Sequence, residues 1–223
     1  CKQNNITLEE MYNQLDTAGF VATNPVKAKD DIMDLTALKM VNSDVVGYIK
    51  LDALGISKPV LNNTVNKNQK NSFYYLSHDI NKKESKHGAI CVISELPLDD
   101  YTFNTIVFGH NMLDKSMFGS LKDLLKPSIQ SKEGFDIIKI YTAGKLHKYK
   151  IISIRSTNLD DILYQNTNYN IWTSDAKTNF IYTMLHGKSV VYYNKTDTSY
   201  TDHFLTLSTC RGLTEGEDRK SVV

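Results

Sequence analysis

The sequence predicts a mainly β domain, a barrel or a sandwich, with helices added at its start and inside its second half. From about residue 44 the apolar residues fall in short runs rich in Val, Ile, Tyr and Thr, separated by turn residues. Helical periodicity is confined to the first forty or so residues and to two later stretches. The 223 residues, 41% hydrophobic and 23% charged, suit one ordinary globular domain with room for a small appendage.

Taken in order, the chain opens as helix. Thr7 and Glu10 form a capping-box pair, Ile6 and Met11 are placed for a hydrophobic staple, and Leu8, Met11, Tyr12 and Leu15 make a stripe at helical spacing. Residues 19–25 read as a loop and 27–41 as a second helix, carrying Ile32, Met33, Leu35, Leu38 and Met40. Eight strand segments follow, at 45–51, 58–61, 88–93, 104–108, 135–141, 146–155, 204–209 and 219–223. Helices are expected at 116–125 and at 174–186. In the latter, Ala176, Phe180, Ile181, Met184 and Leu185 share a face and Gly187 can end the helix. The domain reading is an N-terminal helical appendage, 1–40, packed on a β core, 41–223.

Lys and Arg total 26 against 25 Asp and Glu, a balance that gives no support to a nucleic-acid or membrane-surface partner. No run of about 18 apolar residues is long enough to span a bilayer. The three cysteines, Cys1, Cys91 and Cys210, are odd in number and include no CxxC pair, which fits neither a disulfide framework nor a zinc site. Cys91, inside the apolar run 88–93, reads as a buried small hydrophobe. Cys1 fits either a fragment boundary or a processed lipoprotein end.

Thr206-Leu207-Ser208-Thr209-Cys210 is where chemistry is expected. A β run delivers a cysteine at its C-terminal end, beside the polar loop 211–218, where a substrate has access and a guanidinium can favour the thiolate or an oxyanion. Arginine occurs only at Arg155, Arg211 and Arg219. Arg211 reads as a loop charge, whereas Arg219 opens the next strand. A cysteine nucleophile needs a proton-transfer partner. Of six histidines, His110 also ends an apolar strand, after Gly109, which relaxes the backbone there. His147 sits in a polar-faced strand, His186 in a last helical turn, His78 and His87 in polar loops, and His203 before a strand. A papain-like peptidase is a poor fit, since it carries an early cysteine at a helix start with histidine downstream. Here histidine precedes the cysteine by about a hundred residues. A binding module, or a buried thiol with a loop histidine, stays open at this point.

These residues resemble a known family. Thr206 to Cys210 is the TLxTC signature of sortases, Arg219 fills their third catalytic position, and the stretch from Asn104 to Met112 is similar to their histidine segment. The runs 44–51, 74–79, 86–90 and 117–121 are similar as well, so the likeness covers about residues 40 to 223. The N-terminal helices and the helix between the sixth and seventh strands resemble class B. The resemblance implies a sortase-like eight-stranded β-barrel with those helices added. It implies a cysteine transpeptidase that cleaves a C-terminal sorting signal of secreted proteins through a Cys210 thioester and passes the acyl group to a cell-wall or pilin amine. His110 and Arg219 complete the catalytic set. Leu76, Ser208, Thr209, Tyr169 and Ile171 become candidate substrate contacts, while Trp172 reads as a packing aromatic. No metal or organic cofactor is implied. The expected location is the outer face of the cell membrane, with an N-terminal anchor outside this chain. The alternatives are a cysteine peptidase that only hydrolyses and a non-catalytic surface-binding module.

Overall fold

The computed structural model describes residues 33–63, 73–92, 98, 103–157, 174–186, 190–193, 203–210 and 219–222, all within one compact unit, Met33–Val223. The helix expected from Thr7, the loop 19–25, Tyr169, Ile171, Trp172 and Arg211 lie outside the described residues.

A short helix, α1 (Thr36–Val41), leads into β1 (Val45–Leu51) and, through a 3-10 turn, β2 (Ile56–Asn62). The predicted helix at 27–41 is shorter in its described part: residues 33–35 are not helical. Asp34 instead accepts the Thr36 amide at 2.8 Å, a side-chain turn that competes with helix. Next come β3 (Ile90–Val92), β4 (Asn104–Phe108), a 3-10 segment (Leu121–Leu125), α2 (Pro127–Gln130), β5 (Ile137–Thr142), β6 (Lys145–Lys150) and β7 (Ser153–Thr157). The chain continues with α3 (Ser174–His186), β8 (Val190–Tyr193), β9 (Phe204–Cys210) and β10 (Arg219–Val222).

The helix expected at 116–125 is not formed as such. Lys115 and Met117 take positive φ, 70° and 50°, which right-handed helix excludes, so only Leu121–Leu125 winds, as 3-10. Pro127 then starts α2 at a position where its missing N–H costs nothing.

The ten strands among the described residues form one sheet in the order β6-β5-β1-β2-β3-β4-β9-β10-β7-β8. Two pairs, β2·β3 and β4·β9, are parallel and the rest antiparallel. Eight strands become ten for two reasons. β8 carries only four residues and gives little periodicity, and the predicted run 146–155 divides into β6 and β7. At the division Ile151 enters the main core and Ile152 a second cluster on the other face.

That division also reports the curvature. β6 and β7 stand eight steps apart in the ladder, which at ~4.8 Å per step is roughly 38 Å across a flat sheet. Only Ile151 and Ile152 connect them, a reach of about 10 Å. The sheet therefore curls until its ends meet, wrapping Ile49, Val60, Ile90, Val107, Ile140, Ile154, Leu205 and Leu207 into one core. The outer face of β4, β9 and β7 carries a smaller cluster, in which Phe180 and Met184 of α3 pack on Phe103, Ile152 and Phe204.

Candidate active site

Strand β9 alternates strictly. Leu205 and Leu207 point into the core, so Phe204, Thr206 and Ser208 stand on the opposite face, and Cys210 ends the strand. Parallel β4 matches it residue for residue, Ile106 to Thr206 and Phe108 to Ser208, and the Gly109 amide donates to the Ser208 carbonyl at 3.1 Å. His110 comes two residues after Phe108, and Cys210 two residues after Ser208, the last registered pair. On the other side β10 runs antiparallel and Arg219 is the direct partner of Cys210. Thr157 of β7 pairs with Arg219 in turn. Cys210 is thus paired with Arg219 on one side, and β4, whose last registered residue Phe108 precedes His110 by two, flanks it on the other, with neighbouring backbones about 5 Å apart. Helix α3 lies over the same face at the Phe204 end, six residues or roughly 20 Å along the strand from Cys210.

Local packing fixes His110 at the end of β4. Gly109 is required for space, not for an unusual φ: a Cβ there would sit 2.7 Å from the Phe118 ring, which is fully buried. The Phe118 amide donates to the His110 carbonyl at 2.9 Å, and Asn111 bridges to Met117. The half-buried imidazole uses Nε2 to reach the Leu76 carbonyl at 2.6 Å. A carbonyl oxygen only accepts, so Nε2 carries the proton.

The other described histidines have local partners. His78 stacks on Tyr74 and approaches the Tyr74 carbonyl at 2.9 Å, and His87 faces Asp114 at 3.2 Å. His147 meets Thr142 at 3.3 Å and His186 the Tyr182 carbonyl at 3.2 Å. Cys91 is buried on β3, and burial pushes its thiol up to about 12, so it stays protonated and unreactive at neutral pH.

Of the expected substrate contacts, Leu76 ends a 3-10 turn (Tyr74–Leu76) beside His110. Ser208 comes two residues before the cysteine and is buried. The alternation of β9 sets Thr209 on the core face, away from Ser208; its buried hydroxyl has no hydrogen-bond partner among the described residues. Sequence reasoning missed the part played by the Leu76 carbonyl, a backbone group with no signature in residue type. It also missed Arg155, buried on β7 on the site face, whose Nη1 donates to the Thr183 carbonyl at 3.4 Å and lies 3.3 Å from Met184 Sδ, tying α3 to the sheet.

A strand-end cysteine paired with an arginine, beside a parallel strand that leads to a histidine, is the residue set a cysteine acyl-transfer site needs, carried on a curled β sheet. Residues 49–223 match the Sortase domain model, and the chain belongs to the sortase family of cysteine transpeptidases. Its relatives are of class B. It is 27% identical to sortase B of Staphylococcus aureus over 187 residues, covering 84% of this chain and 71% of the relative. It is 27% identical to sortase B of Listeria monocytogenes, covering 96% and 85%. Among solved structures, sortase B of Clostridium perfringens superposes with a TM-score of 0.64 at 25% identity, covering 85% of this chain and 97% of the other. A Staphylococcus aureus sortase B–substrate complex shares the fold with a TM-score of 0.74 at 24% identity, covering 96% and 91%. The family acts on sorting-signal substrates at the cell surface of Gram-positive bacteria. Among the described residues, no helix is long and apolar enough to cross a membrane.

Proposed function

We propose that this sortase cleaves a C-terminal sorting signal through a thioester on Cys210 and transfers the acyl group to an amine of the cell wall or of a pilin subunit. The observation that supports the reading is the pairing of Cys210, at the end of β9, with Arg219 of β10, beside the parallel strand β4 that leads to His110. In the first step the Cys210 thiolate attacks the scissile carbonyl. The C–S bond forms, the C–N bond breaks, and His110 gives a proton to the departing amine. Arg219 and backbone N–H groups near Cys210 stabilise the oxyanion. In the second step the acceptor amine attacks the thioester, loses its proton to His110 and releases the thiolate.

Leu76 and Ser208, beside His110 and Cys210 in the fold, are assigned to the sorting motif together with Thr209 through its backbone. Tyr169 and Ile171 join them from the connection that carries α3. The site faces the outside of the cell membrane. A membrane anchor N-terminal to the residues of this chain holds it there.

Mass spectrometry of the intact protein, incubated with a library of sorting-signal peptides and an amine, tests the reading. The expected result is a peptide acyl adduct on Cys210, absent in Cys210→Ala and discharged by the amine into a ligated product. An adduct discharged only by water would make the protein a peptidase. Peptide binding without turnover, retained in Cys210→Ala, would make it a binding module.

A further inference from the structure

The segment that supplies the Leu76 carbonyl is anchored by a buried polar network. Tyr75, almost fully buried, donates its hydroxyl to Asp44 Oδ2 at 2.6 Å and accepts from Asn42 Nδ2 at 2.8 Å. Asn42 also donates to the Ile80 carbonyl at 2.8 Å, and Lys82 pairs with Asp44 at 3.1 Å. Burial, reinforced by the bond to Asp44, lifts the Tyr75 hydroxyl above the ordinary phenol range, so it remains a donor. The backbone is held as well. The Ala89 amide donates to the Tyr75 carbonyl at 2.7 Å. Gly88, at φ 56°, passes so close that a Cβ would lie 2.5 Å from the Leu76 oxygen. Tyr75 is fixed to the start of β1 by its side chain, and the next carbonyl in the chain meets His110 Nε2 at 2.6 Å.

A neutral imidazole has one N–H, and the hydrogen bond made by one nitrogen decides which nitrogen keeps a lone pair. With Nε2 committed to Leu76, Nδ1 is the nitrogen that can exchange a proton. We propose that Tyr75 and Asp44 are positioning residues for the reaction: acting through the Leu76 carbonyl, they hold His110 as the Nε2–H tautomer and leave Nδ1 to take and return the proton of acyl transfer. This rests on His110 being the proton carrier of the proposed mechanism.

The test is long-range proton–nitrogen NMR on protein labelled with nitrogen-15 at histidine, with the His110 signals assigned from the spectrum lost in His110→Gln. The proposal expects a single Nε2–H tautomer in the unaltered protein at a pH where the ring is neutral. An Nδ1–H tautomer or an even mixture overturns it without recourse to any further variant. In Tyr75→Phe, which removes one oxygen and keeps the ring, the tautomers mix. kcat then falls by about tenfold, the scale of one lost hydrogen bond, while KM holds within about twofold. A folded Tyr75→Phe protein with unchanged tautomer and unchanged kcat also overturns the proposal. If His110→Ala still turns over, the mechanism itself fails; an essential His110 with the wrong tautomer removes only the positioning role.

Discussion

Two cysteines of this chain stand on strands of the same sheet, and their surroundings separate them. Cys91 is buried in β3, where burial alone raises its thiol to about 12. Cys210 ends β9, opposite an arginine. Brief alkylation near pH 8 followed by peptide mapping is expected to label Cys210 and spare Cys91, and Cys91→Ala is expected to keep full turnover. Equal labelling of both would contradict this account of the two environments. Arg219 is a second case in which position decides chemistry. A lysine there keeps the charge and loses the planar donor pair, so Arg219→Lys is expected to lower kcat by roughly a hundredfold, the scale of one lost oxyanion donor. Steady-state kinetics with a ligation substrate would check it. Both residues could be singled out in the sequence because strand ends and scarce residue types are visible there. Gly109 shows the limit. Its place beside His110 suggested a relaxed backbone, but the reason for it is the Phe118 ring, which comes from a loop nine residues further on.

At the scale of elements, the segment 73–89 and strand β9 carry the site. Gly88 combines a positive φ with contact against the Leu76 and Tyr75 carbonyls. Gly88→Ala is expected to cost at least about 1–2 kcal/mol from the backbone alone, read by urea denaturation, and to lower kcat because the Leu76 carbonyl moves. In β9 the core face is held by Leu205 and Leu207. Leu207→Ala, at a fully buried position, is expected to destabilise by about 2–5 kcal/mol. A loss below 1 kcal/mol would mean that β9 is not the central strand its contacts indicate. The strands at 104–108 and 204–209 were readable as short runs rich in β-branched and aromatic residues, and the helix at 174–186 from apolar residues three and four apart. The helix expected at 116–125 does not form because Met117, inside it, and Lys115, just before it, take positive φ, which the residue types alone do not announce.

For the whole molecule, the ionisable groups set a pH window. Tyr75 and Cys91 have raised folded-state values, so their contribution is fully present below the ordinary tyrosine and cysteine pKa and is lost as pH rises through the folded ones. Asp114 and Asp123 have lowered values. Asp114 is held down by hydrogen bonds from Ser116 and by His87; for Asp123, burial acts upward but the Lys115 and Lys126 ammonium groups outweigh it. Their contribution is present above the ordinary carboxylate pKa and is lost as pH falls through the depressed one. Thermal unfolding followed by circular dichroism is expected to give a plateau from about pH 5 to 8, with Tm falling on both sides. Cys91→Ala should flatten the alkaline limb, and an unchanged limb would exclude Cys91 as a contributor.

The sequence by itself determined the mainly β class, the positions of eight strand segments, the long helix and the three residues offered for catalysis, because periodicity, turn chemistry and a local motif are properties of neighbouring residues. Only the tertiary structure decided that 146–155 breaks at Ile151-Ile152 and draws the two ends of the sheet together, that Arg219 is the direct partner of Cys210, and that a main-chain carbonyl at Leu76 meets His110. Each of these joins residues far apart in the chain. Their meeting is set by ladder register and by the packing of one curled sheet around one core, which no local pattern encodes.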